Sequence, residues 1–403
     1  MSIEVKAACD RRTLKDFHRL PSLIYRGDEQ WVPPLASEVK RVLDAKRNPY
    51  FANASLRLFV CYRDEHVVAR TAVVINRRHW ERFGTRTAFF GFFESFYDVE
   101  GVQALFEEVR NYCRGRGAEF IEGPFNPNHY SELGVQISGF ETPPAFFQSY
   151  NKKYYLDLLE NAGFRVSKLL HTAKRQNVRQ FILDRYGDRF ESGNSSGYLV
   201  RTFRKEDFWA ELERIRKVFN DAFCPNWHFL PLTKDEYRFS AKFLNLVTMP
   251  ELIIIVEHHG QAVGVLQCVQ NINPLLKQLN GTAGPLKFLR YQHSRKSVRD
   301  LIVYAVGIKR SYQHTRVYSL LLREMCRLAL QCDTLEATWM SEDNAMANHA
   351  AGHVGLLRDK EFVIVTQYIH GNHHAANQAK DLLRSDNFVT TPASVSSIVK
   401  ENG

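Results

Sequence analysis

Apolar positions along this chain recur with two periods, and the switches between them mark out the elements. Runs from Leu56 (LRLFVCY) and Val67 (VVARTAVVI) flank the polar stretch Arg63–His66, which predicts a hairpin. The apolar run AFFGFFESF from Ala88 predicts a buried strand whose phenylalanines (Phe89, Phe90, Phe92, Phe93) fall on both faces. Val102, Leu105, Phe106, Val109 and Cys113 then share one helical face, and Gly115 and Gly117 end that helix. A short strand, Ala118–Gly123, is followed by an irregular segment rich in Pro, Asn and Gly. Helix Tyr154–Ala162 stops at Gly163, and Phe164 opens another apolar stretch.

The same order returns further along. LIIIVEHHGQAVGVLQCVQ from Leu252 predicts a hairpin turning near Gly260, and LIVYAVGI from Leu301 a buried strand. Val317, Leu321, Met325 and Leu328 form a helical stripe. Strand Asp333–Trp339 and helix Asn344–Val354, ended by Gly355, complete the series. Hairpin, strand, helix, strand and helix–Gly, twice over, predict a duplicated α/β unit in one chain, each copy a mixed central sheet flanked by helices. The copies are expected at residues 1–173 and 198–370. Residues 174–197, charged and carrying GNSSG from Gly193, are expected to be a partly ordered linker. Residues 371–403 form a polar tail with too little apolar surface to offset its ordering entropy.

Composition narrows the class. The 403 residues are 44% hydrophobic and 24% charged, which excludes disordered, collagen-like and disulfide-scaffold chains. The longest clean apolar run, Leu301–Ile308, is far short of the ~20 residues of a membrane span, and the N-terminal sequence has no signal-peptide core. A cytoplasmic protein is expected. Lys and Arg total 54 against 44 Asp and Glu, a formal charge of +10 that favours anionic partners: nucleic acid, anionic lipid, a phosphorylated co-substrate or an acidic protein. The seven cysteines include no CxxC pair, so they are expected as reduced thiols, with no metal site.

The element order resembles the GNAT acyltransferase superfamily, and more closely its subgroup of tandem GNAT proteins of roughly 400 residues. The resemblance is carried by YRGDEQWVPPL (from Tyr25), KRNPYF (Lys46), FFGFFE (Phe89), GPFNPNHYSELGVQISGFETPP (Gly123) and YNKKYYLDLLENAGF (Tyr150). In the second half it is carried by NWHFLPLTKDEY (Asn226), INPLLKQLNG (Ile272) and EDNAMAN (Glu342). A more distant similarity is to bacterial ceramide synthase. The resemblance implies transfer of an acyl group from a CoA or acyl-carrier-protein thioester to a primary amine, a long-chain or lipid amine among them, with the groove in the second half.

It also implies where the thioester would sit. The family holds the pyrophosphate on backbone N–H groups at the start of the helix after the fourth strand, where the dipole favours an anion. The matching residues are Gln313, His314, Thr315, Arg316 and Val317, with Arg316 and Tyr318 standing where small residues are usual. Arg316 could bond a phosphate, or its bulk and that of Tyr318 could close the cradle. The corresponding turn in the first half, Asp98–Gly101, puts carboxylates where phosphate would go, which suits a structural half or an acceptor wall.

For catalysis the resemblance implies a Tyr seven residues after Asn344, but that position is Ala351. His349 and His353 on the same helix are alternative acids or ordinary surface histidines. Glu342 and Asp343 are candidate bases or dipole-complementing carboxylates, and Asn344 would bond the pantetheine arm. Tyr304 is a further catalytic candidate or a core residue. Asn126 and His129, in a rigid Pro/Asn turn after a short strand, are candidate substrate contacts in the cleft between halves or parts of a structural turn. Asn271 and Asn273 are acceptor-site candidates or turn formers. Lys287, Arg290, His293, Arg295, Lys296 and Arg299 form a basic patch, either solvated or a dock for acyl carrier protein or anionic lipid. No nucleic-acid recognition motif is present. The alternative to an enzyme is a catalytically silent GNAT-fold protein that binds a ligand or partner.

Overall fold

The structure, a computed structural model, describes residues 2–129, 131–187, 197–247, 249–282, 291 and 293–369. Its strands are β1 (Ile3–Ala7), β2 (Ala54–Arg63), β3 (His66–Asn76), β4 (Thr87–Ser95), β5 (Phe120–Gly123), β6 (Val135–Gln136) and β7 (Arg165–Gln176), then β8 (Tyr198–Thr202), β9 (Ile253–His258), β10 (Gln261–Gln270), β11 (Asp300–Ile308), β12 (Thr334–Ser341) and β13 (Leu357–Tyr368). They form one 13-stranded sheet in the order β1-β2-β3-β4-β5-β13-β7-β12-β11-β10-β9-β8, with β6 paired to β13 off the main path.

This order shows the duplication, and it shows that the copies exchange their last strands. The fifth strand of the first copy, β5, is flanked by β13 of the second; the fifth strand of the second, β12, is flanked by β7 of the first. β7 and β13 pair antiparallel at the centre. The expected boundary at residue 173 falls inside β7.

The helices cover the sheet as their stripes predict. Helix Val99–Arg114 buries Val102, Leu105, Phe106, Val109 and Cys113 against the first-half core. Helix Val317–Ala329 buries Val317, Leu321, Met325 and Leu328 against the second. The phenylalanines of β4 divide as expected: Phe90 and Phe93 enter the first-half core, whereas Phe89 packs with Leu170 and Phe362 at the junction of the copies. All seven cysteines are free thiols. Among the described residues no helix is long and apolar enough to cross a membrane.

Residues 174–187 of the expected linker are the end of β7 and helix Val178–Tyr186, whose Val178 and Ile182 are fully buried in the second-half core. Two apolar residues four apart suffice for a docked face, and the surrounding charges masked them. Residues 188–196 and the tail 371–403 lie outside the described residues.

The motif YRGDEQWVPPL is a structural lock. Tyr25 stacks on Trp31 with ring centroids 5.1 Å apart, and its hydroxyl donates to Glu94 at 2.8 Å. Tyr155 donates to the same carboxylate at 2.7 Å, and Lys152 pairs with Asp28 at 2.6 Å.

Two glycines test the packing. A Cβ at Gly91 in β4 would lie 1.7 Å from the carbonyl oxygen of Phe125, whereas one at Gly352, in helix Ala345–His353, would meet nothing within 4 Å. Gly91→Ala is expected to cost about 3 kcal/mol or more, because backbone must move. Gly352→Ala is expected to stabilise by up to about 1 kcal/mol. Thermal or urea unfolding of the two variants checks both signs.

Candidate functional site

Each half contains a pair of parallel strands that diverge. β4 and β5 pair only from Thr87–Phe89 against Phe120–Glu122, and β11 and β12 only from Asp300–Val303 against Thr334–Ala337. Bulges drive the second divergence. Tyr304 is an extra residue on β11 opposite β10, and Thr338 and Trp339 together oppose Thr172 of β7, with Trp339 at φ +51°.

The first-half opening is closed by its own chain. Phe125 N–H donates to the Phe90 carbonyl at 2.8 Å, and the Asn126 carbonyl accepts from Phe92 N–H at 2.6 Å. The side chain of Asn126 therefore closes the wedge, and Asn126 is not among the residues that line the cleft. The helix start beside it is also occupied. Asp98 accepts from Gly101 N–H at 2.8 Å and pairs with Arg63 at 2.6 Å, which holds its carboxyl below the usual range.

The second-half opening leads into a cavity of about 710 Å³ between the halves. The volume lies within the ordinary range of small-molecule sites. Phe219, Phe229, Tyr237 and Phe239 make one side apolar; Tyr304 and Trp339 stand at the splay, and His129 and Lys168 come from the first half. A smaller outer space of about 430 Å³ lies at the start of helix Val317–Ala329. Gln313, Tyr318, Ala345 and Met346 line both spaces and stand between them. The N-cap residue of that helix, Arg316, makes no side-chain cap bond, and Thr315 Oγ1 accepts from Val317 N–H at 3.4 Å.

The remaining sequence candidates separate cleanly. Tyr304 is the bulged residue, faces the cleft, packs on Phe147 with centroids 4.9 Å apart, and is pushed up to about 12 by burial. His314 and Thr315 line the outer space. Arg316 occupies the N-cap position of the helix. The Val317 side chain is fully buried in the core and lines neither space. Asn344 lines the cleft, but its side-chain oxygen caps helix Ala345–His353 through Ala347 N–H at 3.1 Å. His349 lies in the outer space, its Nδ1 2.7 Å from the Tyr318 hydroxyl, a bridge between the two helices that flank the mouth. His353 stacks on Tyr186.

Three candidates sit elsewhere. Glu342 is on the outer rim in an ion pair with Arg358 at 3.2 Å and does not line the cleft. Asn271 accepts from Phe146 N–H at 3.1 Å, and buried Asn273 donates to the Pro144 carbonyl at 2.8 Å. Both fasten the segment after Glu141 onto the second half, where free backbone groups need partners. Of the basic patch, Lys287 and Arg290 lie outside the described residues. Arg295, Lys296 and Arg299 precede β11, whereas the mouth follows its other end, roughly 25 Å along the strand.

Two groups of polar residues in the cleft region join Asp343 and His129 to residues that the sequence did not single out as site candidates. Lys168 of β7 pairs with Asp343 at 3.3 Å and lies 5.3 Å over the Trp227 ring. Burial opposes ionisation of Asp343, yet Ser341 and Lys168 outweigh it and hold the carboxyl below its ordinary range. Beyond Trp227, His228 Nε2 lies 2.8 Å from Glu122 of β5, and His228 Nδ1 lies 2.8 Å from His79 Nε2. His129 is 5.3 Å from His228, centroid to centroid. His228 sat inside the NWHFLPLTKDEY signature; nothing local marked Lys168 or Glu122, which occupy ordinary strand positions. Among the described residues no group of three or more His, Cys, Asp or Glu side chains is arranged to hold a metal ion.

The buried histidines make a prediction. Burial, aided by neighbouring His228, takes His79 from 6.5 to about 2. A folded chain that refuses a proton accepted by the unfolded chain is stabilised above the unfolded value and loses that advantage as pH falls below it. His79 is therefore expected to remove about 2 kcal/mol of stability between pH 7 and about pH 5. Urea unfolding of the native chain and of His79→Gln at both pH values reads this directly. Equal pH dependence in the two would contradict it.

No family model matches the chain. In sequence it is similar to Protein YghO of Escherichia coli (strain K12), 28% identical over 362 residues that cover 87% of this chain and 92% of that protein. It is similar to the bacterial ceramide synthase of Caulobacter vibrioides, 28% identical over 359 residues covering 85% and 91%. In structure it matches a tandem GNAT protein from the clavulanic acid biosynthesis pathway with TM-score 0.53, over 92% of this chain and 100% of that one, at 13% identity. Together with the duplicated sheet and its splayed strands, this likeness shows that the chain has the fold of that tandem GNAT protein.

Proposed function

We propose that this protein is an N-acyltransferase that moves an acyl group from a CoA or acyl-carrier-protein thioester to a primary amine, with a long-chain or lipid amine as the acceptor. The observation that carries this reading is a cavity of about 710 Å³ that runs from the β11–β12 splay into an apolar space between the halves. The similarity to a bacterial ceramide synthase supports the choice of acceptor.

The thioester arm would pass Gln313 and Tyr318 and lie between the diverging edges of β11 and β12, whose unpaired backbone groups suit its amides. Amides at the start of helix Val317–Ala329, with Gln313, His314, Thr315 and Arg316, would face the phosphates. The amide nitrogen of Asn344 is the part of that side chain left for the arm, since its oxygen caps the helix. Tyr304, protonated at neutral pH, would donate to the departing thiolate. The acyl or acceptor chain would take the apolar side near Phe229 and Tyr237. Arg295, Lys296 and Arg299 lie at the far end of β11 from the mouth, so the donor form is a matter for the assay.

A second reading, a catalytically silent binding protein, is favoured by the Tyr318–His349 bridge across the mouth. Thiol release from acetyl-CoA, palmitoyl-CoA and palmitoyl carrier protein, each with a long-chain and a short polar amine, separates the two. The enzyme reading expects amide formation with at least one donor and a preference for the long-chain amine. Tyr304→Phe is expected to lower kcat about tenfold to a hundredfold with little change in KM. Ligand-dependent stabilisation without thiol release would establish the binding protein instead.

A further inference from the structure

We infer that His129 is the proton acceptor for the attacking amine, its ring packed against a Glu122–His228–His79 network whose carboxylate would offset the charge it gains. The inference rests on the acyl-transfer reading and adds the base that the reading lacks.

An amine nucleophile enters as an ammonium ion and must lose a proton before it can attack. The carboxylates near the splay do not serve: Glu342 is outside the cleft with Arg358, and Asp343 is already neutralised by Lys168. His129 lines the cleft, and its Nε2 is buried without a hydrogen-bond partner. Phe125 and Phe89 hold the ring at centroid distances of 4.2 and 5.0 Å. A buried imidazole nitrogen with nothing to bond is a standing free-energy cost, and a donor brought by substrate would satisfy it.

The network behind has a definite polarity. Glu122, 4% exposed, is an acceptor, so His228 donates to it from Nε2 and presents a lone pair at Nδ1. His79 then donates from Nε2, which leaves its own Nδ1 as a bare lone pair; that atom is buried and has no partner. The arrangement places one carboxylate charge two groups away from His129, where it favours a proton arriving there. Burial and the neighbouring histidines His228 and His79 keep His129 neutral before substrate binds. The groups facing this cluster are Glu122 from β5, His79 from helix Arg77–Phe83, His228 from the loop after helix Phe208–Ala222, and Lys168 of β7 across Trp227, itself paired with Asp343.

The balance is simple. The ammonium gives one proton to His129 Nε2; the free amine attacks the thioester carbon, a C–N bond forms and the C–S bond breaks. The thiolate leaves as thiol with the second nitrogen-bound proton, passed by way of Tyr304, and His129 returns its proton to water. The products are amide, thiol and one proton.

The test is a pH–rate profile of amide formation between about pH 4 and 9 for the native chain, His129→Gln and Glu122→Gln. His129→Gln is expected to lower kcat about 10²- to 10⁴-fold near neutral pH, leave KM for the thioester unchanged, and recover activity as rising pH deprotonates the amine. Glu122→Gln keeps the shape of the network and is expected to move the acidic limb to lower pH, since loss of the carboxylate weakens the hold on the proton. A loss under about tenfold in His129→Gln, or a larger loss with the native pH profile, overturns the assignment. Should His129→Gln fail to fold, an unmoved limb in Glu122→Gln overturns it equally. A native chain that transfers to no amine from any donor instead defeats the acyl-transfer reading, and the base falls with it.

Discussion

Two parallel strands share a ladder only while they stay about 4.8 Å apart, and the cavity of this chain depends on where β11 and β12 stop doing so. Past Val303 and Ala337 each strand keeps its outer partner and loses the inner one. The backbone groups thereby exposed must be met by something, because buried amides and carbonyls are rarely left alone. In the first half the chain itself meets them, through Phe125 and Asn126. In the second half, β12 runs by a short turn into helix Ala345–His353, and the opening persists as a cavity. One ancestral geometry has thus become a plug in one copy and a slot in the other.

The divergence is maintained by irregularity placed around one residue. Thr172 of β7 faces two residues of β12 on one side (Thr338, Trp339) and two of β13 on the other (Asp359, Lys360). Paired bulges on both neighbours bend the sheet at its centre. Lys360, 1% exposed, is held there by the Gly139 carbonyl and by Thr142. The bend lies where the copies exchange strands, so the curvature that opens the slot belongs to both copies.

Exchange of β7 and β13 also explains why the cleft draws on the whole chain. Lys168, on β7, reaches Asp343 because its strand is built into the second-half sheet. Glu122, on β5, meets His228 of the other copy across the same junction. The helix starts show the same division of labour. Asp98 and Arg63 neutralise one start internally, whereas the other has Arg316 at its N-cap and only the neutral Thr315 hydroxyl on its first N–H. A helix start without a carboxylate cap leaves the dipole's positive end less compensated.

Local pattern determined most of the architecture. The helix stripes at Val102–Cys113 and Val317–Leu328, the hairpins before them and the repetition of the series all follow from 3.6- and 2-residue periods, which depend on backbone geometry alone. The carboxylates at Asp98–Gly101 were legible for the same reason, since capping is a matter of neighbours in sequence. What lay beyond reach was every relation set by distant strands. Nothing in sequence announces that β13 inserts between β5 and β7, that Asn126 closes a wedge, or that Asn271 and Asn273 fasten a segment more than a hundred residues away. Glu342 and Asp343 look alike as adjacent carboxylates, and only the fold turns one to Arg358 at the rim and the other to Lys168 in the cleft. The histidine network joins a helix, a loop and a strand from both copies, and spacing within a sequence carries no information about contacts that only a closed sheet creates.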